Sequence, residues 1–133
     1  MSSSPIMAAQ ALHAALEAGK HGDDLRAFFT DDATTIEHPN LVKPSGGVSP
    51  LSQILAASAA GARLLASQRY DVHSALEHGS LAILRLTWTG VIGRDVGPYR
   101  EGQVLKAHIA QFIETRDGRV ASIETYDCYE RVA

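Results

Sequence analysis

The 133 residues, 45% hydrophobic and 20% charged, suit one domain with a core of its own and leave no room for a second. A net charge of -3 offers no basic surface to a nucleic-acid backbone or an anionic lipid, so neither partner is expected. No apolar run approaches the ~18 residues needed to span a bilayer, Met1–Met7 lacks the basic flank of a secretory signal, and the single Cys128 excludes an internal disulfide, so a soluble cytoplasmic protein is the expectation.

From Pro5 to Gly19 the chain is rich in alanine and carries Ile6, Ala9, Leu12 and Leu16 on one stripe, a helix opened at Ser4-Pro5 and stopped by Gly19. His13 flanks the stripe and His21 sits in the following turn, and neither is given a role. A second helix runs from Asp23, a good N-cap, to Phe29, with Leu25, Phe28 and Phe29 apolar. Thr34-Thr35-Ile36 then favour a strand through branching at Cβ. Pro39 closes it and leaves His38 at a rigid, extended strand end.

Leu41 to Ser49 holds Pro44, Gly46 and Gly47 and reads as a loop; Ser49-Pro50 opens a third helix with Leu51, Ile54 and Leu55 on one face and Gly61 near its end. From about Ala66 the period changes to two. Tyr70, Val72 and Leu76 belong to a first long strand, Gly79 turns the chain, and Leu81 to Ile92 follows with Ala82, Leu84, Leu86 and Trp88 on one face. A further strand covers Glu101 to Thr115, and the Asp117-Gly118 hairpin feeds the last, Arg119 to Arg131. These elements make an α+β domain.

The order of several motifs resembles the SnoaL-like and ketosteroid-isomerase-like branch of the NTF2-like superfamily. Phe28-Phe29-Thr30-Asp31-Asp32-Ala33-Thr34 leads within a few residues to His38-Pro39, and Trp88-Thr89-Gly90, Gly93, Gly97-Pro98, Phe112 and Asp117-Gly118-Arg119-Val120 look like the closing strands of that family. The resemblance spans nearly the whole chain. It implies an NTF2-like cone, three N-terminal helices on a strongly bent antiparallel sheet enclosing a pocket; the substrate does not follow from it.

Where ketosteroid-isomerase-like relatives often carry an Asp that moves a proton, this sequence has His38, an imidazole able to act as a base near neutral pH. The relatives' helix tyrosine falls near Ala15 and their protonated Asp, eight residues before the hairpin glycine, on Ala110. That removes the oxyanion donors of a steroid isomerase. The Arg-x-Asp pattern of epoxide-hydrolysing relatives is replaced by His108-Ile109-Ala110. If Ala110 faces inward as in relatives, so do Lys106, His108 and Phe112, and on the last strand Ile123, Thr125 and Asp127 share the pocket side.

The candidate constellation is therefore His38, His108 and Asp127, among Tyr70, Trp88, Phe112, Ile123 and Thr125. An Asp bonded to a His fixes its tautomer and raises its basicity, which suits an isomerase, cyclase or dehydratase acting on a hydrophobic carbonyl or polyketide-like compound. The same residues could instead form a satisfied polar cluster in a non-catalytic ligand-binding or protein-interaction module. No cofactor is expected, and although His38 and His108 are metal-ligand types, relatives mostly need no metal and no histidine pair stands at i, i+2 or i, i+4, so none is expected here. Glu37 and Glu124 point outward by alternation. With His108, Ala110 and Phe112 inside, Leu105, Ala107, Ile109 and Ile113 would face out, and a homodimer through the convex sheet face would cover them, with Tyr126 and Cys128 joining.

Overall fold

The computed structural model describes residues 4–131; the reading of Met1–Ser3 as the start of a segment without a secretory signal lies outside them. Helix α1, Pro5–Glu17, begins as the sequence implies: Ser4 is the N-cap, its Oγ accepts from the Met7 N–H at 3.1 Å, and Pro5 stands in the first turn. Gly19 follows at φ 88, a left-handed conformation that suits glycine and ends the helix. A 3₁₀ helix, Gly22–Phe28, takes the place of the expected second α-helix. Strand β1 is Phe29–Glu37.

The loop expected between Leu41 and Ser49 contains strand β2, Gly47–Pro50, which pairs antiparallel with β1. An edge strand tolerates Pro50 because one side of its backbone needs no ladder partner. Helix α2, Leu51–Leu64, passes directly into β3, Leu65–His78. Strands β4, Leu81–Ile92, β5, Val104–Arg116, and β6, Arg119–Tyr129, complete the chain. The hairpin between β5 and β6 turns on Asp117 and Gly118, both at positive φ.

The six strands form one sheet in the order β2-β1-β6-β5-β4-β3. Three features of the expected cone are corrected. The helices are not all N-terminal, since α2 follows β1 and β2, and the sheet is mixed, since β1 runs parallel to β6. Nor is the sheet strongly bent. The β4–β5 pair runs without a register shift from Leu81↔Glu114 to Val91↔Val104, while the β1–β6, β3–β4 and β5–β6 pairs each contain local shifts.

The helices cover one face of this sheet, here called the inner face. Leu84, Leu86 and Ala82 of β4, Ile113 of β5 and Val120 of β6 meet Leu12, Leu25, Phe29, Leu51 and Leu55 in one core. A buried side chain of leucine size contributes about 1.5–3 kcal/mol, so this cluster is what holds the helices to the sheet.

Candidate functional site

Beside this core the helices stand clear of the sheet and leave a cavity of about 480 Å³. Leu12 and Leu16 of α1, Leu25, Ile54 and Leu64 supply apolar walls from the helical side. The strands supply the rest by alternation: Thr35 on β1, Gln68 and Tyr70 on β3, Trp88 on β4, Leu105, Ile109 and Gln111 on β5, and Ile123, Thr125, Asp127 and Tyr129 on β6. The register agrees, because Tyr70 is paired with Trp88, Ile109 with Asp127 and Gln111 with Thr125. Ala107 separates Trp88 from Tyr129 along one row, and its small side chain lets their rings meet edge to face at 6.3 Å.

Of the residues singled out in the sequence, Tyr70, Trp88, Ile123, Thr125 and Asp127 line this cavity, and His38, His108 and Phe112 do not. The parity of β5 is the reverse of that expected. Leu105, Ala107, Ile109 and Ile113 face the helices, and Lys106, His108, Ala110 and Phe112 face out. The expectation rested on counting back from Gly118 to Ala110. That count runs along β5 alone; a bulge that leaves Ala121 of β6 without an opposite residue shifts the pairing between the two strands, so that Gln111 and Ile109, rather than Ala110, stand opposite the cavity residues Thr125 and Asp127. The four apolar residues assigned to a dimer surface are thus core and cavity residues.

His38 falls outside the cavity for the same geometric reason. Thr35 points in, so Glu37 shares its face and His38, one residue beyond the strand, turns out. Its ring stacks on Tyr126 at 4.2 Å, and its Nε2 lies 2.7 Å from Glu124 Oε2. Their side chains are 36% and 38% exposed, a surface pair that contributes little to stability. His108 is bound to Glu130 on the same outer face at 2.7 Å, and Phe112 packs edge-on to Tyr126. Neither histidine meets Asp127.

Asp127 is the carboxyl group of the cavity wall. Its Oδ1 accepts from the Thr125 hydroxyl rather than from a histidine or tyrosine. Burial pushes its pKa up, the Thr125 bond opposes this, and the charge of Glu37 adds to the upward push. Glu37 was expected to face out; it acts on both Asp127 and Tyr129 from the inner side, and Asn40 Nδ2 holds its Oε2 at 2.8 Å. Burial also raises the Tyr70 and Tyr129 hydroxyls, which stay protonated donors.

A raised carboxyl pKa has a definite sign for stability. The folded state then binds the proton more tightly than the unfolded one, so the group's contribution is complete below its unfolded value near ~3.9 and is lost as pH rises through the folded value. At neutral pH the charged Asp127 is a liability. Asp127→Asn is expected to melt higher than the wild type at pH 7 and to lose that advantage near pH ~4; equal melting temperatures at both pH values would contradict the burial of this group.

Sequence reasoning missed His13. It is 5% exposed, stacks face to face on Tyr70 at 4.4 Å, and places Nε2 3.1 Å from Gln111 Oε1. Its spacing was a usable signal, since position 13 is four after Ala9 and three before Leu16 and so lies on the buried stripe of α1. Gln68 Oε1 accepts from both Trp88 Nε1 and the Tyr70 hydroxyl, at 2.9 and 3.3 Å, and fixes those two rings. Among the described residues no group of three or more His, Cys, Asp or Glu is disposed to hold a metal ion.

A model of the SnoaL-like domain matches residues 9–123. The chain belongs to the SnoaL-like family. Solved structures with the same fold as this SnoaL-like protein include IdmH of Streptomyces antibioticus, a candidate polyketide cyclase, at 18% identity and a TM-score of 0.76 over 94% of this chain and 92% of that one. AclR of Streptomyces galilaeus, a candidate hydroxylase, aligns at 14% identity and a TM-score of 0.75 over 92% and 74%. A candidate SnoaL-like polyketide cyclase from Jannaschia sp. CCS1 aligns at 17% and 0.70 over 92% and 84%. At these identities the likeness is one of fold. A comparison with curated protein sequences returns no match. No helix among the described residues is long and apolar enough to cross a membrane.

Proposed function

We propose that this SnoaL-like protein binds a hydrophobic carbonyl compound, polyketide-like or terpenoid-like, and moves a proton on it without a cofactor, in an isomerisation, cyclisation or dehydration. Asp127, in place of His38, is the proton-transfer group. The observation that carries this reading is one carboxyl group, partly buried and raised in pKa, on the wall of an otherwise largely apolar cavity of about 480 Å³. A cavity of that size and lining suits a small organic molecule. A carboxylate whose basicity has been raised by burial is a better match to a carbon acid next to a carbonyl than a solvated one. Tyr70, Trp88, Ile123 and Thr125 shape the bound molecule, and Tyr129 offers a second hydroxyl beside the carboxyl.

The test is deuterium uptake. Aromatic and terpenoid ketones incubated with the protein in D₂O are expected to exchange their α-protons, as followed by NMR, and to raise its melting temperature. Melting shifts without exchange for any ketone would favour the non-catalytic binding module. Neither shift nor exchange would remove the small-molecule reading.

Self-association through the outer sheet face is retained as a proposal, with Tyr126 kept from the expected patch and the four β5 residues Leu105, Ala107, Ile109 and Ile113 replaced. Ile36, Ile83, Phe112 and the exposed Tyr126 stand together there, on neighbouring strands linked by the pairs Ile36↔Glu124, Ile83↔Phe112 and Phe112↔Glu124. Light scattering at micromolar concentration is expected to give a mass of twice 14.2 kDa, reduced to the monomer by Tyr126→Asp. A monomeric wild type would discard the dimer.

A further inference from the structure

The cavity contains a second polar pair that proton transfer at Asp127 leaves unused. His13 Nε2 contacts Gln111 Oε1, and His13 Nδ1 is buried with no partner among the described residues. That orphan decides the tautomer. A buried N–H without an acceptor is rarer and costlier than a bare lone pair, so the proton belongs on Nε2, where it is donated to Gln111, and Nδ1 carries the lone pair. Burial keeps the ring neutral, outweighing the opposing effects of Gln111 and Glu17. Its stack on Tyr70, with 6° between the planes, fixes the direction of the N–H.

The consequence lies on Gln111. With its oxygen held by His13, the end of the amide left to meet a ligand is the NH₂, and Gln111 is a wall residue of the cavity. Gln111 is directly opposite Thr125, and Asp127 is two residues further along the same face. Such diagonal neighbours stand about 7–8 Å apart at Cα. A ketone oxygen and its α-carbon fit between groups so spaced.

We propose that Gln111 is the carbonyl-oxygen donor of this cavity and His13 the positioning residue that aims it, so that the molecule bound is a ketone with its oxygen on the Gln111 amide and its α-C–H towards Asp127. This rests on the reading of Asp127 given above. In the step, the Asp127 carboxylate takes the α-proton, the C–H electron pair becomes a C=C bond, and the carbonyl π pair moves to oxygen. The enolate oxygen then accepts the Gln111 N–H more strongly than the ketone did, which is the differential stabilisation that lowers a barrier. Return of the proton from Asp127 to carbon restores the balance. In place of the donor pair missing at Ala15 and Ala110, this cavity has one amide donor, Gln111, aimed by His13.

The experiment compares 2-acetylnaphthalene with 2-isopropenylnaphthalene, which has the same shape with CH₂ in place of the oxygen. Binding of both to the full chain is measured by calorimetry, and the C=O stretch of the bound ketone by infrared difference spectroscopy. Gln111→Leu is expected to weaken the ketone about 10-fold, the effect of losing one hydrogen bond, to leave the hydrocarbon within about 3-fold, and to return the C=O stretch from a lowered frequency towards that of the free ketone. His13→Phe, which keeps a ring on Tyr70, is expected to give a smaller loss for the ketone alone, and His13→Gln, which can still donate to Gln111, to recover it. Thermal melts establish that each variant is folded, with Gln111→Met used if the leucine variant is not. Equal loss of both ligands, or an unmoved C=O stretch, overturns the Gln111 assignment and leaves the Asp127 reading standing. If neither ligand binds the wild type, the small-molecule reading fails and this assignment with it.

Discussion

Asp127→Asn is expected to reduce α-proton exchange of a bound ketone by about 10²–10⁴-fold, the usual contribution of a positioned general base. The amide keeps an oxygen for the Thr125 hydroxyl and has nearly the same volume, so the cavity should retain its shape and its ligand affinity. What disappears is the lone pair able to take a proton. The second expectation is pH dependence: wild-type exchange should rise as Asp127 ionises, with a midpoint displaced upward from an ordinary carboxyl because burial opposes the charge. Exchange kinetics across pH 4–8 on wild type and variant check both statements. A variant that exchanges at the wild-type rate would move the base elsewhere, and Glu37, whose charge reaches Asp127 from the next strand, would be the group to test.

Leu84→Ala is expected to be the most damaging of the simple core truncations. Leu84 is fully buried on an interior strand of the sheet, opposite Gln111 on one side and Ala75 on the other, and it belongs to the cluster that joins the helices to the strands. Removing the side chain loses its transfer free energy and leaves a hole that a six-stranded sheet cannot collapse to fill, at a cost of about 2–5 kcal/mol. For a chain of this size that corresponds to a fall of roughly 6–20 °C in melting temperature. Differential scanning calorimetry measures it. A fall below about 3 °C would show that the neighbours repack freely.

Much of the fold was legible because its signals are local. Ser4-Pro5 and Gly19 bracket α1, Asp117-Gly118 marks the last hairpin, and the change from a helical to a twofold period after α2 announces the long strands. On β6 alternation was sufficient to put Ile123, Thr125 and Asp127 on one side. On β5 it was available and overruled. Lys106 and His108 are charged or polar and Leu105, Ala107, Ile109 and Ile113 are apolar, so hydrophobic pattern by itself turns the second set inward, as observed. A count from Gly118 to Ala110 reversed it, although the polar Gln111 interrupts the apolar set. Gln111 is inside because His13 gives its oxygen a partner.

The sequence by itself determined what depends on neighbours along the chain: α+β class, most element positions, an apolar helix stripe, a face of β6 carrying a carboxyl, and motifs in the order of the SnoaL-like family. Tertiary structure alone decided what depends on pairing between distant segments. The parallel junction of β1 with β6 joins the two ends of the chain and has no local signature. The one-residue bulge beside Ala121 changes parity, which a residue count cannot detect. His38 is turned to Glu124 and away from the cavity by the direction of β1, while His13, on a helix face that looked merely structural, is brought onto Gln111 across 98 residues of sequence. A side chain's environment is set by which strand or helix arrives opposite it, and that choice is made by the packing of the whole core.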